Sequence, residues 1–473
     1  MRPRPYWWLT GMPAAVTLLA LLVVGCAPTV VAGPEVSNLE LRSVPTPRPA
    51  PPSEPAMSCS SLASLHPSDQ WPVQRTYPLR GDPAFRPDRL DPAVRHWYDR
   101  LWDVIRDPDW AAYATSLAQR DDLYTYGRTL HMHVQSLLLA FRVTGDLALL
   151  DEVDRLAEHM RSRLRDGWRG TLDGSDGTRD GYLNWVYRRE GARQHQGKDL
   201  YAFNEMRTHG LVAEIAWAFH HNRDLSSPNG VDYEHRARVW TSYLVGHFEE
   251  KWRVRSEATG MAFPFLHHDS LHGTVAFIKY HHYLAKTLDE PRYANEAERL
   301  SSLVLETFVE VPVGQDVAAV WPGRLSAAYD DGDRDALLLR TTYARYVIMD
   351  AIDLHLDGAA LWRDPSVPAS LATTLRAFVF DVDGDDIVLA SDIGGGRSRG
   401  GIAAHDPDDA GEFSTAQFAV SGLAFAAAWD PSGDVSQWSC ELFVRHAPGG
   451  AGVHLPAALM LVYGVDRSPP AGP

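Results

Sequence analysis

Three stretches of the chain open alike: His131-Met132-His133-Val134, His209-Gly210-Leu211-Val212 and His272-Gly273-Thr274-Val275. In each, Val follows the first His by three residues, and an aromatic or His side chain follows it by ten: Phe141, Phe219 and His282. The first His recurs after 78 and then 63 residues, too far for one helix but suitable for a repeated helical hairpin. A chain that places His at the same end of successive helices is predicted to gather them around a shared cleft.

Helical patterns continue on both sides of these stretches. Asp91-Pro92 supplies an N-cap residue and a Pro at the first position of an earlier helix. Thr144-Gly145-Asp146 and Leu288-Asp289-Glu290-Pro291 have the composition of corners between paired helices. About ten helices are predicted from such periodicity, mostly in antiparallel pairs. They include segments near 91–105, 125–143, 202–221, 232–252 and 333–357, and a last pair near 413–429 and 455–463.

Strand patterns are scarce and come late in the chain. Phe378-Val379-Phe380 and Ile387-Val388-Leu389 flank a polar turn, which predicts one β-hairpin. Repeated helical hairpins of this size form either an open solenoid or a closed toroid. The long loops between the hairpins favour closure. The predicted fold is therefore mainly α, an (α/α) toroid of repeated helical hairpins with a minor β-hairpin near the C-terminal part.

Residues 1–25 are predicted to be a signal peptide. Arg2 and Arg4 form a positive start, and the apolar run 14–24 is too short to span a bilayer as a mature helix. Val23-Val24-Gly25-Cys26 resembles the lipobox of bacterial lipoproteins, which implies export, cleavage before Cys26 and a lipid on its thiol. An ordinary signal peptide cleaved further on is the alternative.

The domain boundaries are predicted from this leader. Residues 26–57 are rich in Pro, Ser and Thr without apolar periodicity, which indicates an extended tether to the membrane. The toroid is expected over 58–465 and a disordered tail over 466–473. The lipid would then be the contact with the membrane, and an outer-membrane or cell-surface location is expected.

Cysteine usage predicts one disulfide. The chain has three cysteines, and with Cys26 taken by lipid, Cys59 and Cys440 remain as a pair in an oxidising compartment. A bridge between them would tie the two ends of the domain together, whereas two buried free thiols are the alternative reading.

The net charge of −16 argues against nucleic acid or an anionic membrane surface as partner. It does not exclude an acidic polysaccharide or oligosaccharide, because local Arg and His groups matter more than the sum. The mature chain keeps more than 400 residues and 15 Trp, enough for a large core, and we expect a monomer.

Two motifs resemble the alginate-lyase and related uronate-lyase families. Asn204-Glu205-Met206-Arg207-Thr208-His209-Gly210 heads one predicted inner helix, and Tyr343-Ala344-Arg345-Tyr346 heads a later one. Those families place an Asn and a His at the start of an inner helix, with Tyr and Arg from neighbouring helices. Here four residues separate Asn204 from His209, whereas the two are adjacent in alginate lyases, so the individual roles do not transfer directly.

The resemblance implies a β-elimination site. Such chemistry needs donors that neutralise the uronate carboxylate, a base for the C5 proton and an acid for the leaving oxygen. On this reading Asn204 and Arg207 hold the carboxylate, His209 or His272 is the base, and Tyr343 is the acid. The expected subsites, including a sugar-stacking indole, use a further set of side chains: Arg128, His131, Arg340 and Trp185.

Each of these residues also has a structural reading. A His at a helix start often caps the helix, Asn204 has the character of a cap, Trp185 has that of a core residue, and one of Tyr343 and Tyr346 is expected in the core. His268 and His272 are spaced like zincin ligands, but Asp269 replaces the usual Glu. The acidic runs 173–180 and 381–386 lack the Glu that ends a calcium loop. No cofactor or metal ligand is assigned, and a divalent cation is left open.

Two other functions are compatible with the same sequence features. A glycoside hydrolase on the same fold would need two facing carboxylates, for which Glu205, Glu214 and Asp269 are candidates. A surface lipoprotein that binds glycan without turnover would leave the polar residues scattered. The surroundings of His209 are richer in Arg, Asn and His than in acids, which favours the lyase.

Overall fold

The protein is mainly helical in the computed structural model. The described residues are Cys59 and the ranges 77–169, 178–187, 202–259, 270–325, 338–383, 386–390, 392–395, 422–446 and 452–464. They belong to one compact unit that extends over Ser53–Pro473. Within these ranges, no helix is both long enough and apolar enough to cross a bilayer.

The longer helices are numbered in chain order: α1 (Pro92–Arg106), α2 (Pro108–Ala118), α3 (His131–Thr144), α4 (Leu147–Arg161), α5 (Ala202–His221), α6 (Tyr233–Tyr243), α7 (Glu250–Thr259), α8 (Leu271–Leu288), α9 (Pro291–Leu305), α10 (Thr341–Leu356), α11 (Ser366–Thr374), α12 (Asp434–His446) and α13 (His454–Tyr463). A π-helical turn, Tyr126–Leu130, leads into α3, and another, Leu244–Glu249, joins α6 to α7. Ala424–Trp429 forms a short 3-10 helix.

The predicted corners are confirmed. Gly145 ends α3 in the left-handed conformation, with φ 71°, and the side chain of Asp146 accepts a hydrogen bond from the backbone N–H of Ala148 at the start of α4. Asp289 ends α8 with φ 53°, and Pro291 begins α9. Left-handed C-caps and Asp N-caps fix where a helix stops and its partner begins.

The helices form an inner and an outer set. Every residue of α3 and α13 is buried, and so are nearly all those of α10. In contrast, α1, α4 and α9 bury one apolar stripe and expose a charged face. A helix buried on every side lies inside the core, whereas an amphipathic one covers it.

Contacts run from each inner helix to the next. In order, the inner helices are α3, α5, α8, α10, Ala424–Trp429 and α13, and α13 in turn contacts α3. Each inner helix also packs against an outer partner: α4 on α3, α6 on α5, α9 on α8, α11 on α10, α12 on Ala424–Trp429 and α1 on α13. The first long helix therefore pairs with the last.

In the part of the chain that the structure describes, three antiparallel hairpins lie between the helices: β1–β2 (Arg165–Arg169 and Thr178–Asn184), β3–β4 (Val309–Val313 and Asp316–Val320) and β5–β6 (Phe380–Asp383 and Asp386–Leu389). The predicted late hairpin is present, with Phe380 opposite Leu389, but Phe378 and Val379 belong to a π-helical turn, Leu375–Val379, that precedes β5. The expectation that strands occur only late was wrong. β3 contains a Pro and spans five residues between polar turns, so its apolar alternation is too short to stand out.

A central charged cluster lies between α3, α5, α8 and α10. Lys279 Nζ lies 2.7 Å from Glu214 Oε2, 2.7 Å from Asp353 Oδ2 and 3.2 Å from Asp350 Oδ1. Arg142 lies 3.2 Å from Glu214 and 3.2 Å from Asp357. The cluster consists of six buried ionisable residues: Arg142, Glu214, Lys279, Asp350, Asp353 and Asp357. Because a buried charge is costly without a partner, these pairs require the four helices in one relative register.

The predicted disulfide is present. Cys59 and Cys440 are bonded, with their Cα atoms 5.6 Å apart and a sequence separation of 381 positions. Cys440 lies in α12, so the bridge ties the segment before α1 to the last pair of helices.

Removing this bridge is expected to destabilise the protein. The double substitution Cys59→Ser/Cys440→Ser should lower the free energy of unfolding by about 2–5 kcal/mol, because a very long loop is no longer closed in the unfolded chain. Denaturant unfolding of the full chain measures this, and the matched control is Cys26→Ser. Equal stability of both variants would contradict the expectation.

A pair of buried histidines joins α13 to α3. The rings of His133 and His454 are stacked with centroids 4.7 Å apart, and Ser136 Oγ lies 2.8 Å from His454 Nδ1. Trp110 and Tyr113 pack edge-on against His133. Burial lowers the pKa of His133 to about 4 and that of His454 well below its usual range.

Acidification is therefore expected to weaken the fold. The unfolded chain binds a proton at His133 near pH 6.5, whereas the folded chain does so only near pH 4, so stability is full above pH 6.5 and falls as the pH drops towards 4. From pH 7 to pH 5 one such His accounts for a loss of about 2 kcal/mol. His133→Phe should therefore lose less stability than wild type over this interval in denaturant unfolding. An unchanged difference would show that His133 titrates normally in the folded protein.

Candidate active site

The first turns of α5, α8 and α10 meet the π-helical turn before α3. Phe203 in α5 contacts His272 in α8, with ring centroids 4.5 Å apart. The His272 ring stacks on Tyr343 in α10 at 5.0 Å. The Arg128 guanidinium lies 5.8 Å from the Phe203 ring and 5.7 Å from the Tyr343 ring. Four elements thus bring polar groups together at one end of the inner helices.

The outer layer of this cluster is partly accessible. Arg128 and Tyr343 are half-buried, and 9 % of His272 is exposed. Ser270 Oγ lies 2.7 Å from His272 Nδ1, a contact that orients the imidazole. A group that exchanges protons with a substrate must reach it, so this layer holds the side chains best placed for acid–base work.

Tyr346 forms the centre of the buried layer. The Arg207 guanidinium lies 3.6 Å from the centre of its ring, and Arg345 Nη2 donates to its hydroxyl at 2.5 Å. Burial alone would raise the pKa of Tyr346, but the charges of Arg345, Arg128 and Arg207 outweigh it, and the pKa lies below its ordinary value. Three guanidinium groups around one phenol make this layer strongly favourable for negative charge.

Several buried polar atoms in the first two turns of α5 have no hydrogen-bond partner within the described part of the chain. They include both amide atoms of Asn204 and both Nη atoms of Arg207, and neither side chain is exposed. Arg207 Nε donates to the carbonyl of Gly127 at 2.6 Å, which fixes the guanidinium but leaves its fork free. An unpaired buried polar group costs about 1–3 kcal/mol, so such a group marks a place where a ligand or water belongs.

His131 supports this layer from α3. Its Nδ1 donates to the carbonyl of Arg207 at 3.1 Å, and its Nε2 lies 3.6 Å from Asp350 Oδ1. Burial and the charge of Arg207 lower the pKa of His131 to about 4, so the ring is neutral near pH 7. His131 is fully buried and contacts the backbone that carries Arg207.

The predicted residues His209 and Trp185 lie in a different environment. His209 Nδ1 donates to the carbonyl of Glu205 at 2.7 Å, and its Nε2 lies 2.9 Å from the Tyr243 hydroxyl. Its ring stacks on Phe248 at 3.7 Å, and Trp185 packs 5.7 Å away. Both side chains are fully buried on the side of α5 that faces α6 and β2. The structure therefore does not bring them together with Arg207 and His272.

The remaining predicted positions are dispersed. Arg340 is exposed at the N-cap of α10, where its backbone pairs with Asp392. His268 and Asp269 of the zincin-like spacing, and residues 173–177 and 384–385 of the acidic runs, lie outside the described residues. Among the residues that the structure describes, no group of three or more His, Cys, Asp or Glu side chains is arranged to hold a metal ion.

Two of the three candidate carboxylates of a hydrolase, Glu205 and Glu214, are already paired, and the third, Asp269, lies outside the described residues. Glu205 Oε2 lies 2.8 Å from Lys251 Nζ and accepts from the Trp252 indole at 2.7 Å. Glu214 belongs to the central charged cluster, bonded to Arg142 and Lys279. Both carboxylates are held by cationic side chains within the helix packing, so neither is available for acid–base work on a substrate in this structure.

Sequence reasoning missed Tyr346, Arg345 and Asp350 as members of the site. Tyr346 follows Tyr343 by three residues, and Asp350 follows Tyr346 by four. Tyr343, Tyr346 and Asp350 therefore lie on one face of α10. A carboxylate in the middle of a buried helix requires a charged partner, which is a signal that the sequence does contain.

Comparison with known proteins gives no match: no family model fits the chain, and no curated protein or solved structure is detectably similar to it.

The position of His209 generates a prediction. His209→Gln should lower the melting temperature, because it removes the stacking on Phe248 and disturbs the contact with Tyr243, at a cost of about 1–3 kcal/mol. It should leave ligand binding at Arg207 unchanged. Thermal unfolding measures the change in stability, and calorimetric titration with glucuronate measures the change in binding. Weaker binding at unchanged stability would contradict this expectation and identify His209 as a residue of the binding site.

Proposed function

We propose that this chain is a polysaccharide lyase with an (α/α) toroid fold that cleaves a uronate polymer by β-elimination. The observation that carries the proposal is the group of three guanidinium ions around Tyr346. One of them belongs to Arg207, and Asn204, whose buried amide has no hydrogen-bond partner within the described residues, precedes it by three positions on α5. A negative charge that develops on a substrate carboxylate is stabilised by donors of this kind, arranged before the substrate arrives.

The toroid is supported by the order of the helix contacts. Six inner helices contact one another in chain order and the last contacts the first, while each has an outer partner. An open solenoid would leave its first and last repeats apart. The pairing of α1 with α13 and the Cys59–Cys440 bridge both favour closure.

The carboxylate of the substrate would bind Asn204 and Arg207. The free Nη atoms of Arg207 form a planar fork that matches a carboxylate, and the Asn204 amide adds a donor. As the proton leaves C5, the C5–H electron pair is delocalised into this carboxylate, where the two donors stabilise the added charge.

Proton transfer is assigned to the outer layer. His272 takes the C5 proton, the C4–O4 bond breaks as the C4=C5 double bond forms, and the Tyr343 hydroxyl gives its proton to O4. The proton on His272 then returns to Tyr343 by way of solvent, which restores both groups. Tyr346 is the second candidate for the base, because the neighbouring arginines lower its pKa, but it is fully buried.

The two alternatives are less well supported. A retaining or inverting hydrolase needs two available carboxylates, whereas Glu205 and Glu214 are held in buried ion pairs. A binding protein without turnover has no need for the His272–Tyr343 pair beside a buried cationic layer. Both remain outcomes of the experiment below.

The proposed site of action is outside the cytoplasm. The lipobox-like sequence at Cys26 and the Pro-rich residues 26–57 suit a lipid-anchored enzyme on a tether, and a disulfide suits an oxidising compartment. The substrate would then be an acidic polysaccharide encountered at the cell surface.

The test is the absorbance of the unsaturated product during incubation with alginate, hyaluronan, polyglucuronate and polygalacturonate. We expect one of these polymers to be cleaved by the full chain. His272→Gln and Tyr343→Phe should each lower kcat/KM by about 100-fold or more, since each removes a proton-transfer group. His235→Gln, at an exposed position on α6, is the matched control and should retain full activity.

Three outcomes would contradict the proposal. Reducing ends released from neutral polymers, without unsaturated product from the panel, would indicate a hydrolase. Binding of a uronate polymer without turnover would indicate a binding lipoprotein. Full activity of the His272 and Tyr343 variants would remove the assigned roles.

A further inference from the structure

One carboxylate connects the candidate site to the central charged cluster. Asp350 in α10 is fully buried and faces basic side chains from three other inner helices, two charged and one a neutral imidazole. Its Oδ1 lies 3.2 Å from Lys279 Nζ of α8 and 3.6 Å from His131 Nε2 of α3, and its Oδ2 lies 3.6 Å from Arg207 Nη1 of α5. All the inner helices that carry the candidate site therefore meet at this side chain.

The two carboxylate oxygens of Asp350 have different surroundings: Lys279 contacts Oδ1, whereas Oδ2 faces the candidate site. Lys279 is itself fixed by Glu214 and Asp353 at 2.7 Å each, so it anchors Asp350 from within the cluster. Towards the site, Asp350 Oδ2 has no hydrogen-bond partner within the described residues, and neither has either Nη atom of Arg207. A separation of 3.6 Å attracts the guanidinium without occupying its donors.

The distance between Asp350 and Arg207 satisfies two opposing requirements of a buried guanidinium that binds a ligand. The Arg207 guanidinium needs a counter-ion to remain buried, yet a bidentate salt bridge would use the donors that a ligand requires. Asp350 supplies the charge at a distance, while Gly127 fixes the Nε end and the Tyr346 ring fixes the plane.

We propose that Asp350 is a positioning residue that aims the free fork of Arg207 at a substrate carboxylate without touching the substrate. The inference rests on the proposed function for its substrate, a uronate. It differs from a general stabilising role, because it requires Asp350 and Arg207 to act as one unit.

Asp353 provides a matched control. It lies one turn further along α10, is equally buried and contacts the same Lys279, but it is not within ion-pair distance of Arg207 or His131 among the contacts of the described residues. Burial and the charge of Glu214 raise the pKa of Asp353, so an uncharged Asn is a mild replacement there.

The experiment is a double-mutant cycle on glucuronate binding by the full chain, measured calorimetrically with glucose as the neutral control. Asp350→Asn should weaken glucuronate binding about tenfold, whereas the same change on top of Arg207→Lys should have almost no effect, because the two residues are coupled. Asp350→Glu keeps the charge but moves the carboxylate, so it should weaken binding as well. Asp353→Asn removes a partner of Lys279 but none of Arg207, so it should weaken glucuronate binding much less than Asp350→Asn does.

The outcomes separate this inference from the proposed function. A loss in Asp350→Asn that persists in the Arg207→Lys background, or that Asp353→Asn shares, would show a structural role only and overturn it. So would wild-type affinity in Asp350→Glu, or a wild type that does not prefer glucuronate to glucose. If the melting temperature shows that Asp350→Asn does not fold, the cycle is repeated with Asp350→Glu. Its effect on glucuronate binding in the wild-type and Arg207→Lys backgrounds then shows whether the two residues are coupled. If Asp350 and Arg207 are coupled in glucuronate binding but no polymer is cleaved, the lyase is rejected and the positioning role stands. If a polymer is cleaved but the two residues are not coupled, the positioning role is rejected and the lyase stands.

Discussion

The ammonium group of Lys279 is the interaction on which the rest of the structure depends. It is fully buried and lies within about 3 Å of three carboxylates, Glu214 from α5 and Asp350 and Asp353 from α10. A charge removed from water is stable in a protein only where several partners replace its hydration, so small shifts of these helices are costly. Apolar contacts between smooth helix surfaces tolerate sliding, but this ion cluster does not. The register of the inner helices is therefore set electrostatically, and their first turns are placed as a consequence.

The relative positions of the candidate site residues depend on the register of these helices. The partly accessible side chains, Arg128, His272 and Tyr343, stand on elements whose relative heights are fixed further along the same helices. Beneath them, Tyr346 is enclosed by arginines whose charges would repel one another without the carboxylate of Asp350 nearby. The layer nearest solvent holds groups that can exchange protons, and the layer below holds groups that stabilise charge.

The sequence predicted the helical class, the corners after α3 and α8 and the disulfide, because each depends on local signals or on simple counting. It predicted less of the site. Arg207 and His209 are two residues apart on one helix, so they face nearly opposite directions, and their proximity in the sequence was misleading. The importance of Tyr346 depends on Arg207, which lies more than a hundred residues earlier and reaches it only through the packing of α5 near α10. Such a relation is a property of the assembled helices and leaves no local pattern.

The early hairpins were missed for a different reason. β1–β2 and β3–β4 are short, and their polar faces interrupt the alternation by which a strand is recognised. They connect helix pairs, and although β4 buries Ala318, Ala319 and Val320, a buried run of three residues is too short to identify a strand in the sequence.

The pairing of α1 with α13 has a consequence for how the protein is made. Helix α1 leaves the ribosome with an apolar stripe whose partner, α13, is synthesised much later, so until then the nascent chain has no complete core to fold into. Contacts between such distant segments form slowly, which keeps the polypeptide unfolded for longer. For a chain proposed to cross a membrane, that delay is an advantage, because a chain without its complete core can still be threaded through a narrow channel. The same pairing makes the fold vulnerable at α13, since loss of that helix would expose the surfaces of both α1 and α3 at once.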